Sequence, residues 1–520
     1  MGVFSYASYG FEGKLVAVEV DIRSGIPTTE IVGLPGGAIR ESKQRVRVAI
    51  GNAGLVYPLR KVLVNLAPAG VKKGGAAFDL PIALAILLAS GQVTLGEGIS
   101  VLALGELELS GRVRSVAGVL AGVALALRHG VRHFFVPTGN AEEASALEDG
   151  AVWPVDDVTE AVDGLRRLAA GSAPITRPDA VTKRTVRKTH ALDFADIRGQ
   201  ALVKRAMEVA AAGGHNTLLF GSQGIGKTMA AIRMPSILPR LDRDDALVVT
   251  RLHSLAGLLP DYTGIIQEPV LRAPHHSASL EGMLGGGRSI VPGEVSLAHC
   301  GVLFLDEVTE YRRDVLQALR EPTEARTVTI VRAGRSHTFP AAFQLVAAAN
   351  PCPCGNLGHP RRRCLCGFGE IERYWKRFGG PLLDRIDMRI LVTPADPTEV
   401  LTDGYESSAS MKSRVLAARH VQSLRYEAAG PRLNAHMGPA DIRRFCHLNG
   451  AAERAFQSVC HALLLSTRAA HSVLKVGRTI ADLEESETID DTHILEAAAY
   501  RRWGDAANLI ELSRRPVATS

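Results

Sequence analysis

The chain has 520 residues, 46% hydrophobic, 22% charged and 5% aromatic, with a net charge of +6 and a sequence pI of about 8.9. Those figures fit a soluble globular chain with room for two to four domains, and they leave little material for a broad surface of stacking aromatics. The mild basicity permits a nucleic-acid partner without requiring one.

No charged start followed by an apolar run opens the chain, so no signal peptide is expected. The most apolar segment, Leu80 to Ser90, contains Pro81 and is about half a membrane span. The expectation is a cytoplasmic protein without a membrane partner. Of seven cysteines, four lie between Cys352 and Cys366. That is a metal-site pattern rather than a disulfide framework.

Residues 1–170 alternate short β-like runs (Leu15 to Val20, Lys61 to Leu66, Phe134 to Pro137) with Ala/Leu-rich helical stretches, a mixed α/β pattern. Within it, KKGGAAFDLP, from Lys72 to Pro81, has the lysines and glycines of a loop that holds phosphate or presents a nucleophile. Residues 171–192 are rich in Pro, Ser, Thr and basic residues without apolar period and read as a linker.

Residues 193–400 alternate strands and helices and carry most of the chemistry. Leu218-Leu219-Phe220 is a short strand that runs into Gly221-Ser222-Gln223-Gly224-Ile225-Gly226-Lys227-Thr228 and then a helix start. This is G-x-x-x-x-G-K-[ST] in its strand–loop–helix setting. The glycines let backbone N–H groups curl around phosphates, and the helix N-terminus adds partial positive charge. Lys227 is expected on the β/γ-phosphates of ATP and the Thr228 hydroxyl on Mg²⁺. The strand Val302 to Leu305 ends in Asp306-Glu307. Asp306 suits a magnesium ligand and Glu307 suits polarisation of the attacking water; a helix cap is the plain alternative for such a pair.

The apolar run Phe343 to Ala349 ends at Asn350, whose amide is placed to position that water. In LLDRID, Arg385 is a candidate for the finger that stabilises transferred charge in a neighbouring subunit, or else a local salt bridge to Asp384 or Asp387. Residues 401–508 read as helical, with helices expected over Met411 to Glu427, Gly438 to Cys446, Gly450 to Leu463, Arg468 to Ala481 and Asp491 to Arg502. Residues 509–520 read as a tail.

GSQGIGKT, VLFLDE, AAAN and LLDRID, in that order, resemble an AAA+ ATPase. RAPHHSA from Arg272, GGGRSIVPGEVSLAHCGVLFLDE and RTIADLEESETIDDTHILEAAAYR resemble the magnesium-chelatase-like proteins and, within them, the ComM/YifB competence group. The resemblance covers residues 1–505. It implies an α/β fold with a parallel-sheet ATPase core and a C-terminal helical lid, assembled as a homohexamer with ATP between subunits. It places Gly199-Gln200 on the adenine side and Arg468, in LSTRAAH, as the lid arginine. Where the family often has arginine this chain has Ser472, which puts a second lid contact in doubt.

By the same route the N-terminal block resembles the Lon protease fold. The serine position falls at Ala76 and the lysine position at Leu120, so neither side chain can act as nucleophile or base. Lys72 and Lys73 are then expected as surface charges or anion contacts. Cys352, Cys354, Cys364 and Cys366 form C-x-C, nine residues, C-x-C. Four thiolates suit structural Zn²⁺, although the spacing is tighter than the usual C-x₂₋₄-C, and unmetallated thiols are the alternative; His359 is a spare ligand.

Two insertions are expected to face a ring's pore: the loop Gly285-Gly286-Gly287-Arg288, and a hairpin from Thr327 to Thr338 presenting Arg335. Flexible glycine with a few cations suits a phosphate backbone without reading sequence. His275 and His276 are candidate pore or interface groups. The resemblance implies a DNA motor acting on single strands and branched junctions. A chelatase-type or protein-remodelling motor is the alternative.

Overall fold

The computed structural model describes residues 2–70, 73–174, 192–259, 265–287, 290–332, 335–359, 362–394, 406–426 and 432–501. Most of the expected linker, the expected tail, Lys72, Arg288, Arg361 and the side chain of Arg335 lie outside them.

The N-terminal part is built on β1 (Gly2–Ala7), β2 (Lys14–Arg23), β3 (Thr28–Val32), β4 (Lys61–Ala67), β5 (Ser100–Ala103), the small hairpin β6 (Glu106–Leu107) and β7 (Val113–Arg114), β8 (His133–Pro137) and β9 (Ala151–Val155). Among the described residues a mixed sheet runs β3-β4-β2-β1-β5-β8-β9. The apolar segment noted in the sequence forms helix Asp79–Ala89, buried from Asp79 to Leu87. It has no polar stripe because it is covered all round, by β1 and β2 and by helices Gly37–Asn52 and Val158–Ala169. This answers the question raised by KKGGAAFDLP: the stretch leads into a core helix.

Lys73 is not a surface charge. Its side chain is fully buried, and its ammonium donates to the carbonyls of Gly33 (2.7 Å), Leu66 (2.8 Å) and Pro68. Three inward-facing carbonyls at the strand ends need a donor, and the ammonium supplies three. Burial pushes its pKa down.

The second part carries β10 (Thr217–Phe220), β11 (Leu271–Arg272), the pair β12 (Gly285–Gly286) and β13 (Val291–Pro292), β14 (Val302–Leu305), the hairpin β15 (Thr327–Arg332) and β16 (Arg335–Pro340), β17 (Gln344–Ala349) and β18 (Met388–Leu391). The sheet order β11-β14-β17-β10-β18 is parallel throughout. β10, β14 and β17 are buried at every position, as expected for a sheet covered on both faces.

The C-terminal part is helical: Ser408–Arg425, Pro439–Phe445, Gly450–Ala462, Thr467–Leu483 and Asp491–Ala499. The first begins three residues before the expected Met411, because Ser407 caps it by accepting from the Ser410 N–H. The last ends at Ala499 rather than Arg502. A buried polar chain joins these helices to the sheet. Asp387 accepts from Ser472 Oγ (2.7 Å) and faces His215 Nδ1 (3.4 Å), and His215 Nε2 meets Thr479 Oγ1 (2.7 Å). Ser472 therefore makes a contact between the lid and the core.

Helix Arg243–Leu255 fastens the second part to the N-terminal part. The Gly118 N–H donates to Ser254 O and Oγ, both at 3.0 Å. The Arg251 guanidinium lies 4.1 Å over the Phe11 ring and donates to the carbonyls of Phe11 and Glu12. Glu143 accepts from Ser254 Oγ (2.7 Å) and from the N–H of Leu120 (3.2 Å). Ala76 and Leu120 thus offer no dyad, and Leu120 lies against the contact with helix Arg243–Leu255.

Candidate functional site

Three parallel strands deliver their ends to one edge. β17 lies between β14 and β10, so the residues that follow them converge: Asp306 and Glu307 after β14, Asn350 after β17 and the phosphate loop after β10. The open edge beyond parallel strand ends is where ligands bind in such sheets.

Gly221 leaves β10 with φ +157, and a Cβ there would sit 2.4 Å from Val392 O. Gly226 enters helix Lys227–Ile237 at φ +95. Each admits only glycine without strain, which frees the intervening N–H groups to face a ligand. Ser222 is buried in this loop, while Gln223 and Gly224 are exposed and Ile225 partly so.

The Lys227 ammonium donates to Gly221 O (2.6 Å), Ser222 O (2.7 Å) and Asn350 Oδ1 (3.2 Å). Burial depresses its pKa to about 8, with Asp306 and Glu307 acting in the opposite direction. Thr228 Oγ1 donates to Asp306 Oδ2 at 2.8 Å, so the two expected magnesium ligands already adjoin. Glu307 is held at φ +48, a left-handed conformation unusual for its type, and its side chain is exposed. Gly199 and Gln200 are also left-handed. Gln200 Nε2 donates to Thr393 O (2.6 Å) and Ile225 O (3.4 Å), which ties the segment to the phosphate loop.

Arg385 and Arg468 are not in this constellation. Arg385 precedes β18, at the end of the sheet opposite to the phosphate loop, and its carbonyl accepts from Asn216 just before β10. β10 alone is about 13 Å long. Arg385 pairs with neither Asp384 nor Asp387; its partner is Glu324 (2.7 Å), which also pairs with Arg468. Sequence reasoning missed Glu324, because its meaning depends on partners distant in the chain.

The four cysteines converge despite their tight spacing. Their sulfurs lie within 4.8 Å of one another, with Cys352–Cys354, Cys352–Cys364 and Cys354–Cys364 at 3.4, 3.6 and 3.7 Å. A tetrahedron with Zn–S bonds of about 2.3 Å has edges of about 3.8 Å, so the set fits that ion. Gly355, at φ +75, makes the turn between the cysteine pairs, and a Cβ on it would lie 3.6 Å from Gln223 of the phosphate loop. Although burial opposes it, the backbone N–H groups of Asn356 and Leu365 hold the Cys354 thiol down to about 6. His359 stands outside the set, its Nδ1 accepting from the Arg362 N–H. A second grouping absent from the sequence reading, Asp245, His299 and Cys300, is already engaged. Asp245 receives Arg432 Nη1 at 2.9 and 2.7 Å, and His299 Nδ1 accepts from the Ala342 N–H.

The two insertions meet. Arg332 on β15 donates to Gly287 O, and a Cβ at Gly285 would lie 3.1 Å from Ile330. The His275 and His276 rings lie tilted at 35° with centroids 4.0 Å apart, and His275 Nδ1 meets Ser277 Oγ.

Models of magnesium chelatase subunit ChlI match residues 193–400, its C-terminal part matches residues 405–501, and the model described as subunit ChlI of Mg-chelatase matches residues 18–140. The chain is 40% identical over 506 residues to protein YifB of Escherichia coli (strain K12), covering 96% of each. It is 40% identical over 504 residues to competence protein ComM of Haemophilus influenzae (strain Rd), covering 96% of this chain and 97% of that one. The chain belongs to the ComM/YifB family of magnesium-chelatase-like proteins. The resemblance of this chain to a chelatase subunit is partial. The magnesium-chelatase 38 kDa subunit of Rhodobacter capsulatus is 25% identical over 281 residues, half of this chain and 74% of that subunit. Membership in a ComM/YifB family with an AAA+-like core supports an ATPase that uses ATP and Mg²⁺. Among the described residues no helix is long and apolar enough to cross a membrane.

Proposed function

We propose that this chain is a cytoplasmic ATP-driven DNA motor, acting as a homohexamer to move branch points or unwind strands in recombination, including the integration of incoming single strands. The observation that carries the reading is the placement of hairpin β15–β16. It is inserted between β14, which ends at Asp306-Glu307, and β17, which ends at Asn350. Its outer part is exposed, Val331 by 72%, and it leans through Arg332 on the glycine loop. Helices Arg313–Ala318 and Arg320–Ala325 link Asp306-Glu307 to the hairpin and β17 runs from the hairpin to Asn350, so a change at the γ-phosphate would be passed along the chain on both sides to a glycine-rich surface that carries Arg332 and suits a phosphate backbone. The name competence protein, borne by the Haemophilus influenzae relative, supports a role in handling DNA.

In this reading Lys227 and the loop Gly221–Gly226 hold the phosphates, and Thr228 and Asp306 hold Mg²⁺. Glu307 and Asn350 place the water, and Gly199-Gln200 flank the base. Bound Mg²⁺ would supply charge neutralisation on the phosphates, while the chain's own groups supply orientation and the proton acceptor. Cys352, Cys354, Cys364 and Cys366 would hold Zn²⁺ as a structural brace beside the loop. Purified protein is expected to carry about one zinc per chain, measured by elemental analysis. A Cys352→Ser/Cys364→Ser variant should lose it and melt at lower temperature; full-length protein without zinc and with all seven thiols titratable would refute the brace.

The deciding experiment incubates the protein with ATP and Mg²⁺ on labelled three-strand and four-way junctions. Movement of the junction by the parent and not by Lys227→Ala is the expected result. The chelatase-type reading draws support from the ChlI family matches. It predicts ATPase activity indifferent to DNA together with binding of a tetrapyrrole, and that pair of results would replace the DNA motor.

A further inference from the structure

Arg385 and Arg468 share one carboxylate. Glu324 Oε2 lies 2.7 Å from Arg385 Nη2, and Glu324 Oε1 pairs with Arg468 Nη2. The three come from separate elements. Glu324 is in helix Arg320–Ala325, Arg385 in the turn before β18, and Arg468 is the second residue of helix Thr467–Leu483. A cation in the first turn of a 17-residue helix opposes the helix dipole, so local helix stability does not explain Arg468. Arg385 donates through Nη1 to Pro381 O, while its buried Nε–H has no hydrogen-bond partner among the described residues. Glu324 is 45% exposed and Arg468 47%. In direct contact the group thus sets two guanidinium groups on one carboxylate, with Asp384 a further negative charge near Arg385, and it opens outward through Glu324 and Arg468, Arg385 being 13% exposed, at the end of the sheet away from its own phosphate loop.

We propose that Glu324 is the resting counter-ion of a two-arginine claw, and that the triphosphate bound by a neighbouring subunit displaces it. The inference rests on the reading that Arg385 serves a neighbour's nucleotide. A lone carboxylate carries less charge than a bound triphosphate and offers fewer oxygens, so planar guanidinium groups exchange onto phosphate where both are in reach. With no nucleotide across the interface, Glu324 keeps the arginines side by side and prevents their mutual repulsion from swinging the lid helix away. It is a positioning residue that also competes with ATP.

The test is an ATP titration of the assembled protein with kcat and KM determined separately. Glu324→Gln is expected to lower KM by about two- to fivefold, the size of a part-exposed ion pair lost from the competing state. Glu324→Asp is too short to span both arginines, so its KM should lie between; it carries the test alone if Glu324→Gln does not fold. In an Arg385→Ala/Arg468→Ala background, Glu324→Gln should leave the affinity for a fluorescent ATP analogue unchanged, because the competition has lost its object. An unchanged or raised KM in both Glu324 variants, with Arg385→Ala inactive, overturns the counter-ion alone. An Arg385→Ala protein with parental kcat overturns the underlying reading as well.

Discussion

Lys227→Ala is expected to lower kcat/KM for ATP by at least about a hundredfold while leaving the fold intact. Removing one preorganised donor from developing charge costs about that much in other enzymes, and here the donor also carries a full charge. The ammonium is presently held by Gly221 O, Ser222 O and Asn350 Oδ1, all of them groups around the space that a triphosphate would enter. Two of its acceptors are backbone carbonyls of the loop itself.

The depressed pKa of Lys227, about 8 by burial, adds a signed pH dependence. Below pH 8 the free site already carries its proton, and ATP affinity is independent of this group. Bound phosphate favours the charged amine. Above pH 8 the site must therefore take up a proton as ATP binds, and affinity falls with a slope approaching one proton per site. Titrating nucleotide affinity from pH 7 to 9.5 checks this, and a flat profile would show that Lys227 is fully charged throughout. Lys227→Arg, which cannot be neutralised in this range, should flatten the curve even where its affinity is poorer.

The parts of this site that the sequence exposes are those whose chemistry is contiguous. GSQGIGKT contains its strand, loop and helix start in one run, and Asp306 and Asn350 are found because each ends an apolar run of strand length. Parallel strands then bring those ends to one edge, so order along the chain translates directly into proximity. The cysteines converge for a different reason: nine residues with two glycines suffice to fold one C-x-C onto the other. The place of Lys73 is not legible in the sequence because lysine is nearly always exposed, and only the assembled strands create three carbonyls for it to bridge. Glu324 has no signature at all. It is an ordinary acidic residue until residues 61 and 144 positions further on are folded against it. The docking of Arg251 on Phe11 has the same character, since the cation and the ring belong to different parts of the chain.

Arg385→Ala is expected to reduce ATP turnover about a thousandfold or more, the range found when a transition-state arginine is removed, with little change in nucleotide binding by isolated subunits. The geometry makes the stronger prediction through mixing. Arg385 lies at the end of β18 that pairs with Thr217, whereas the phosphate loop leaves the other end of β10, so one chain cannot supply both groups to one nucleotide. A ring site then needs Lys227 from one chain and Arg385 from the next. Lys227→Ala subunits retain the arginine, and Arg385→Ala subunits retain the lysine. Equal amounts of the two inactive proteins, dissociated and reassembled, should recover up to about a quarter of the parental rate, since that share of randomly formed interfaces unites an intact lysine with an intact arginine. Neither protein alone, nor a mixture of either with the double variant, should recover any. Recovery near a quarter identifies Arg385 as the group donated across the interface. Mixtures that assemble yet stay as inactive as their components would place the arginine's role within its own chain, in the lid contact through Glu324, and would remove the shared site from the mechanism.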